Sequence, residues 1–257
     1  MIPGLGGNAR SIYVRKAVRD LHRLGWSSLV MPQRGGDLCG EDIYHAGLTA
    51  DLHAAAGSPA AKRHDHVCFL GFSMGGHVAL RFAAESPPAH VRGVAAVCAP
   101  IDLFAASRYI DLDRCRIYRW HVLRALKTIY RAVDRRGHAP APLRELLAVR
   151  RIRDWDTRAV VPRFGFRDAN DYYARASAAA VLHTLAVRSL LLLSTRDPMV
   201  AADDVRRALP ERTPQLEVQW HDCGGHVHFP KSFGLIDRVC AWFAMPRSSA
   251  GERHAAR

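Results

Sequence analysis

One serine stands between two glycines in a pattern that could make it a nucleophile. Residues 71–76 read Gly-Phe-Ser-Met-Gly-Gly; they follow the apolar run 67–70 and open a segment that predicts a helix from Met74 to about Glu85. The G-x-S-x-G spacing is typical of a tight strand-to-helix turn, which needs glycines because a Cβ atom would prevent it from closing. We therefore predict that Ser73 is raised clear of a sheet edge, where backbone N–H groups of the next helix point at an oxyanion.

A serine nucleophile needs a histidine as its base and a carboxylate that orients this histidine. Asp197 directly follows the apolar run 190–194, which places it at the carboxyl edge of a sheet, where such sites form. His226 lies beyond one more strand-like segment, 216–220, and follows two glycines. Serine, then aspartate, then histidine is the chain order of a recurrent catalytic triad. We predict that His226 takes the proton of Ser73 and that Asp197 fixes the tautomer of the histidine.

Other residues compete for these two roles. The nearest rival of the predicted base is His228, two positions further on. Asp203, Asp204 and Asp222 are rivals of the predicted acid. The first two are typical of a helix start, where carboxylates suit the helix dipole. The third is typical of a turn residue beside the histidine loop.

Strands and helices that could position these residues alternate along the chain. The pattern predicts strands at 28–32, 67–70, 91–98, 188–194 and 215–221. It predicts helices at 11–24, 46–56, 74–85, from 201 onward and at 232–245. This alternation predicts the α/β class, with a mostly parallel sheet covered by helices on both faces. A chain of 257 residues is long enough for one such domain with an insertion.

Several motifs outside the serine turn carry a family resemblance. Residues 3–7 (PGLGG) resemble a His-Gly-Leu-x-Gly oxyanion loop, and residues 44–51 (YHAGLTAD) match a Tyr-His-x-Gly-x-Thr-x-Asp signature. Further matching segments are 34–36, 99–103, 171–177 and 224–227. On these motifs, spread over residues 2–245, the chain is identified as a member of the YheT-like branch of the α/β-hydrolases, the AB hydrolase 4 family of esterases and lipases.

This resemblance implies an α/β-hydrolase domain at 1–245 with a helical cap inserted at about 101–185. It implies hydrolysis of carboxylic esters, such as acylglycerols, phospholipids or short-chain acyl esters, through an acyl-enzyme and without cofactor or metal. The backbone N–H groups of Leu5 and Met74 would hold the oxyanion. The alternatives are an acyltransferase that uses the same triad and a non-catalytic, truncated remnant of such an enzyme.

The chain departs from the family pattern at its start. Pro3 stands where the family usually has histidine. The chain also begins where the third strand of the family sheet should be ending, so we expect an N-terminally truncated fold. The predicted strand at 28–32 should then either pair directly with the strand at 67–70, displacing the loop 4–6 from Ser73, or stand off across a gap.

Positive charge is concentrated in the predicted cap. The formal net charge is +13, and residues 108–167 hold 16 Lys or Arg against 6 Asp or Glu. Residues 112–133 predict a helix with a buried apolar face and a basic outer face. The apolar positions are Ile117, Trp120, Val122, Leu123, Leu126, Ile129 and Tyr130. The basic face is either solvated surface or a surface that attracts anionic lipid head groups or acidic substrates.

The composition argues against several other classes. No nucleic-acid motif accompanies the charge, so we expect no nucleic-acid partner. No apolar stretch approaches the roughly 18–20 residues that span a bilayer, and no signal peptide is visible. Six cysteines without metal-like pairing are typical of a reduced core, so we expect a cytoplasmic protein. The small, polar and charged segment 246–257 predicts a disordered tail.

Overall fold

Four parallel strands form one sheet in this computed structural model, which describes residues 1–245. They are β1 (Val67–Phe72), β2 (Val91–Val97), β3 (Ser189–Ser194) and β4 (Leu216–His221). The order across the sheet is β1-β2-β3-β4, and each neighbouring pair is parallel. Parallel strands need crossover connections, and helices provide them here. The predicted α/β fold with a parallel sheet flanked by helices is therefore confirmed.

Twelve α-helices are found within the described part of the chain. They are α1 (Ile12–Arg23), α2 (Ala50–Ala56), α3 (Pro59–Lys62), α4 (Met74–Ala83), α5 (Leu103–Ile110), α6 (Arg116–Asp134), α7 (Leu143–Ala148), α8 (Ile152–Trp155), α9 (Val161–Phe164), α10 (Ala169–Ala176), α11 (Ala202–Ala208) and α12 (Leu235–Ala244). A π-helical turn, Asp156–Val160, joins α8 to α9, and a 3₁₀ segment, Ala178–Thr184, follows α10. Helices α5 to α10 lie between β2 and β3 and form the predicted cap insertion. No helix in residues 1–245 combines the length and the apolar character that crossing a bilayer requires.

Side chains of the central strands alternate between two buried layers. Val94 and Ala96 of β2 belong to a cluster that includes α4, whereas Ala95 and Val97 pack with α1 and α12 on the opposite face. β3 is buried along its whole length because both of its faces are covered. A third cluster lies under the cap. The sheet edge that carries the predicted site thus lies between the two-sided core and the cap.

The segment 28–32 is not a strand, so that prediction was wrong. Met1 lies alongside it and accepts a hydrogen bond from the Met31 N–H (2.9 Å), while the Met1 ammonium group donates to Leu29 O (2.7 Å). Two hydrogen bonds to a single residue are too few to form a ladder. The segment therefore runs outside the sheet in irregular structure.

Ile2 pairs with the end of β1, at the position where the sequence predicted either segment 28–32 or a gap. Its N–H donates to Leu70 O (2.8 Å), and its carbonyl accepts from Phe72 N–H (3.0 Å) in a parallel bridge. Direct pairing of segment 28–32 with β1, one of the two expected arrangements, is therefore wrong. The bridge also holds the following loop in place: a Cβ atom on Gly4 would lie 3.1 Å from Ser73 Cβ. The loop is not displaced from the serine.

The long cap helix α6 differs in one respect from the expected pattern. Val122, Leu123 and Leu126 face the core as predicted. Ile117 and Trp120 do not, because 69% and 59% of their surface is exposed. At 3.6 residues per turn both project on the side of Arg124, opposite the buried stripe. The prediction that they are core residues was wrong. The predicted tail at 246–257 lies outside the described residues.

The first prediction concerns the close packing around the serine turn. A Cβ atom at Gly75 would lie 2.4 Å from the carbonyl oxygens of both Ile2 and Pro3. We expect Gly75→Ala to lower the free energy of unfolding by about 1–3 kcal/mol or more, because backbone must shift. Urea unfolding followed by circular dichroism measures the change.

Gly57→Ala is the matched control. A Cβ atom there meets its nearest neighbour at 3.4 Å, and φ is −78°, which alanine adopts freely. We expect this variant to be unchanged or more stable by up to about 1 kcal/mol. Equal unfolding free energies for the two variants would contradict the packing argument.

Candidate active site

Ser73 lies on a sharp turn between β1 and α4. Its backbone has φ 52° and ψ −122°, a region that costs a non-glycine residue about 1–3 kcal/mol and that surrounding structure must enforce. The Ser73 N–H donates to Val97 O of the neighbouring strand (2.8 Å), which fixes the turn to the sheet. Neither flanking glycine tolerates a side chain: a Cβ atom at Gly71 would lie 2.3 Å from Gly75 O. The residue types of the motif are thus explained by contact distances.

Ser73, His226 and Asp197 form a continuous series of hydrogen bonds, in which His226 lies between the other two. His226 Nε2 is 2.7 Å from Ser73 Oγ, and His226 Nδ1 is 2.8 Å from Asp197 Oδ2. The aspartate side chain is 2% exposed and the histidine side chain 13%. A carboxylate only accepts hydrogen bonds, so the proton of the imidazole lies on Nδ1 and Nε2 is free to accept from the serine. In this arrangement a proton can pass from the serine to the histidine.

The aspartate is held by backbone groups as well as by the histidine. Asp197 Oδ1 accepts hydrogen bonds from the N–H groups of Met199 (2.8 Å) and Val200 (3.0 Å). The histidine loop is fixed to β3, because Ser194 Oγ donates to Gly224 O (3.2 Å). Asp197 and the loop that carries His226 are therefore both held in position by hydrogen bonds within the protein.

The rival residues lie elsewhere. His228 is exposed and lines a groove beside α1, not the pocket that contains Ser73. Asp203 and Asp204 form ion pairs with arginines of their own helix α11. Asp222 is exposed at the end of β4. Among the described residues, none of the four forms a side-chain hydrogen bond or an ion pair with Ser73 or His226.

Two backbone N–H groups beside the serine have no protein acceptor. Among the described residues, no protein oxygen accepts a hydrogen bond from the N–H of Leu5 or of Met74. Met74 is the first residue of α4, where an N–H group has no partner within the helix. Leu5 lies in the loop that contacts Ser73 through Gly4. These are the two donors that the sequence predicted for an oxyanion.

Two tyrosines that the sequence analysis did not single out hold this loop. The Gly4 N–H donates to Tyr13 Oη (2.9 Å), and the Gly6 N–H donates to Tyr44 Oη (2.8 Å). These bonds flank Leu5 on both sides, so the two hydroxyl groups fix the position of the loop. Tyr44 is the first residue of the motif at 44–51, and this motif was the one sequence feature that pointed to it. Nothing in the sequence indicates that Tyr44 contacts residue 6.

The chain matches a known protein family over most of its length. It matches the description "alpha/beta hydrolase fold" over residues 1–232. The chain belongs to the α/β-hydrolase fold family. It is 31% identical to the putative esterase YheT of Escherichia coli strain K12, over 88% of this chain and 68% of that protein. The predicted resemblance to the YheT-like branch is thereby confirmed.

More distant relatives of this α/β hydrolase carry related names. The phospholipase ABHD3 of Bos taurus is 23% identical over 95% of this chain and 62% of its own length. The monoacylglycerol lipase ABHD2 of Danio rerio is 24% identical over 93% of this chain and 61% of its own. Among curated relatives, the chain thus spans about half to two thirds of the full length. The prediction of an esterase- or lipase-type α/β hydrolase is confirmed at this level.

Solved structures show the same fold. The Pyrococcus furiosus esterase Pf2001 superposes with a TM-score of 0.59 at 16% identity, covering 94% of this chain and 80% of the esterase. Mouse alpha/beta hydrolase domain-containing protein 10 has a TM-score of 0.56 at 17% identity, covering 94% and 87%. These similarities establish the architecture of the hydrolase and nothing about its ligand.

A mainly apolar pocket of the hydrolase lies beside Ser73, and helices of the cap form part of its wall. Its walls include Leu103 of α5 and Val122 and Leu126 of α6. Within the described part of the chain, no cluster of three or more His, Cys, Asp or Glu is arranged to hold a metal ion. One acidic residue, Asp156, also lines the pocket. Burial raises the pKa of Asp156 from 3.8 to about 7, although a hydrogen bond from the Tyr173 hydroxyl opposes the shift.

The second prediction follows from the buried Asp156. Its pKa is about 7 when folded and 3.8 ordinarily, so the folded state binds the proton more tightly. Ionisation therefore destabilises the fold as pH rises from about 4 to 7. The side chain of Asp156→Asn cannot ionise. The free energy of unfolding of this variant, relative to that of the wild type, should therefore rise by up to about 4 kcal/mol over this pH range and then stay constant.

Urea unfolding at a series of pH values measures this difference. Burial lowers the pKa of His45 and of His77 to about 4, so their contribution to stability changes with pH in the opposite sense. Taking the difference between variant and wild type removes that contribution. Asp154→Asn, on the exposed residue two positions earlier, is the matched control. A difference between Asp156→Asn and wild type that stays constant from pH 4 to 8 would contradict the prediction.

Proposed function

We propose that this chain is a serine hydrolase that cleaves carboxylic esters of acylglycerols, phospholipids or short acyl chains. The observation that carries the proposal is the continuous hydrogen-bonded chain from Ser73 Oγ through His226 to Asp197, with distances of 2.7 Å and 2.8 Å. In such a chain the histidine acts as a general base toward the serine, and the aspartate stabilises the imidazolium that forms.

The reaction would proceed in two halves. In the first half, Ser73 Oγ bonds to the ester carbonyl carbon while its proton moves to His226 Nε2. The carbonyl electron pair moves to oxygen, which receives hydrogen bonds from the N–H groups of Leu5 and Met74. The alcohol then leaves with the proton from His226, and an acyl-enzyme remains. In the second half, water attacks the acyl carbon by the same route and releases the acid.

The substrate class rests on two supports. The pocket walls are mainly aliphatic and aromatic, which suits the hydrocarbon part of an ester. Relatives named as a phospholipase and a monoacylglycerol lipase point to lipid esters. An acyltransferase would use the same acyl-enzyme and pass the acyl group to an alcohol other than water. A non-catalytic remnant would form no acyl-enzyme.

The third prediction tests the three proposed catalytic residues. Ser73→Ala should abolish both labelling by a fluorophosphonate probe and turnover of p-nitrophenyl butyrate. His226→Ala should lower kcat by several powers of ten, because the serine loses its base. Asp197→Asn should slow acylation strongly, because the histidine tautomer is no longer fixed.

His228→Ala is the matched control, since it removes an exposed histidine two residues from the proposed base. We expect it to keep wild-type activity. Undiminished labelling of Ser73→Ala would contradict the proposal, as would an active His226→Ala beside an inactive His228→Ala. A wild-type protein that no fluorophosphonate labels would favour the remnant.

We also propose that the outer face of α6 binds anionic lipid surfaces. Ile117 and Trp120 are exposed there, and the guanidinium of Arg124 lies 5.4 Å from the Trp120 ring centroid. Arg131 continues the same face two turns further on and is also exposed. Exposed apolar side chains among arginines are typical of helices that lie in the head-group region of a membrane.

The fourth prediction is that binding to vesicles containing phosphatidylglycerol weakens as salt rises. The Debye length shortens from about 10 Å at 0.1 M to about 3 Å at 1 M, which screens the arginines. Ile117→Ser should weaken binding in a vesicle co-sedimentation assay. Ile12→Ser, which alters an isoleucine 78% exposed on α1, is the control and should bind as the wild type does. Equal binding to neutral phosphatidylcholine vesicles would refute the proposed contact.

A further inference from the structure

A buried carboxyl group lies in the wall of the mainly apolar pocket. Asp156 is 9% exposed and lines the same pocket as Ser73. Its Oδ2 accepts a short hydrogen bond from the Tyr173 hydroxyl (2.6 Å). Among the described residues, its Oδ1 has no hydrogen-bond partner. One oxygen of a nearly buried acid is thus left unpaired beside an open ligand space.

The charge of Asp156 is only partly compensated, because Arg153 opposes the rise of its pKa without forming an ion pair with it. Within residues 1–245, no arginine, lysine or histidine forms an ion pair with Asp156. The nearest candidate, Arg153, instead donates to Asn170 Oδ1 (2.7 Å) and lies over the Tyr173 ring. Buried acids are normally paired or fully hydrogen-bonded, because an unmet polar group costs about 1–3 kcal/mol. Asp156 Oδ1 is not one of the fully enclosed side-chain atoms that lack a partner in residues 1–245, so it is open to the pocket and available to a ligand.

The local backbone also sets this residue apart. Asp156 begins the π-helical turn Asp156–Val160, and such turns are rare and frequently occur at functional sites. The preceding helix α8 is anchored by Asp111, which accepts hydrogen bonds from the N–H groups of Ile152 (2.8 Å) and Arg153 (3.2 Å). The position of the carboxyl group in the pocket is therefore held from two sides, by this anchor and by Tyr173.

We propose that Asp156, oriented by Tyr173, is a specificity-determining residue that binds a hydroxyl group of the substrate. The substrate is then an ester with a free hydroxyl, either on its acyl chain or on its alcohol part. This inference rests on the proposed ester hydrolysis at Ser73.

The chemistry favours a hydroxyl group over other polar groups. A hydroxyl both donates and accepts hydrogen bonds, so it matches the carboxyl group whether protonated or ionised. A phosphate would repel the ionised form. An ammonium group would itself need to be desolvated among aliphatic walls. The pKa of Asp156 near 7 means that both protonation states are present at neutral pH.

Two pairs of esters distinguish the two sources of the hydroxyl. The first pair is p-nitrophenyl ω-hydroxyoctanoate and p-nitrophenyl octanoate, which differ only in the acyl chain. The second is glyceryl monooctanoate and propyl octanoate, which differ only in the alcohol part. We expect the wild type to prefer the hydroxylated ester in one of the two pairs, by about tenfold to a hundredfold in kcat/KM. A ratio near one in both pairs would overturn the proposal.

Three variants test whether Asp156 causes the preference. Asp156→Leu should remove it by slowing the hydroxylated ester, and Tyr173→Phe should reduce it because the carboxyl group loses its fixed orientation. Leu126→Ala, the control, should lower kcat/KM for both esters of a pair and leave their ratio unchanged. If Asp156→Leu does not fold, Tyr173→Phe decides. A preference that survives the decisive variant, or that Leu126→Ala also removes, would overturn the proposal.

Binding separates this inference from the proposed reaction. Isothermal titration of Ser73→Ala with methyl ω-hydroxyoctanoate and methyl octanoate tests an acyl-chain hydroxyl, and the glyceryl and propyl esters test an alcohol hydroxyl. Tighter binding of one hydroxylated ester supports the subsite even if the wild type cleaves no ester. Equal affinities in both pairs overturn it, even if ester hydrolysis is established.

Discussion

The structure depends on the close approach of two backbone segments at the serine turn. The carbonyl groups of Ile2 and Pro3 lie where a side chain at Gly75 would be, and the turn closes only because this residue is glycine. The same contact sets the Leu5 loop against Ser73 and bridges Ile2 to the end of β1. The strained serine backbone, the N–H groups of Leu5 and Met74 and the sheet edge thus form one packed unit. A change in any one of them must move the others.

The two buried carboxyl groups near this unit, Asp197 and Asp156, differ in how many hydrogen bonds they accept. Asp197 is nearly buried, but its oxygens accept from His226 and from two backbone N–H groups, so its position is fixed by several hydrogen bonds. Asp156 is buried to a similar degree, but among residues 1–245 its only hydrogen-bond partner is the Tyr173 hydroxyl, on Oδ2. Its other oxygen is open to the pocket that also contains Ser73. The difference between the two carboxyl groups therefore bears on what the pocket binds.

Much of the fold could be predicted from local patterns. The apolar runs at Ser189–Ser194 and Val91–Val97 predict buried strands, and this works because both faces of these strands are covered. The glycines of the serine motif predict the β1–α4 turn. The same reasoning fails at 28–32, where the apolar residues favour a strand but, within residues 1–245, Met1 alone pairs with their backbone. It also failed at Trp120, since a helical pattern does not say which apolar residues the rest of the protein covers.

The sequence by itself determined the α/β fold, the family and the candidate serine, aspartate and histidine, because each lies at a motif or strand end whose chemistry is local. Only the tertiary structure shows that His226 lies within hydrogen-bond distance of Ser73 and that His228 is exposed, because local sequence does not distinguish two residues of one loop. It also decided that Tyr13 and Tyr44 hold the Leu5 loop and that Asp156 enters the pocket. Contacts between residues far apart in the chain depend on how the cap packs on the sheet, which no local spacing records.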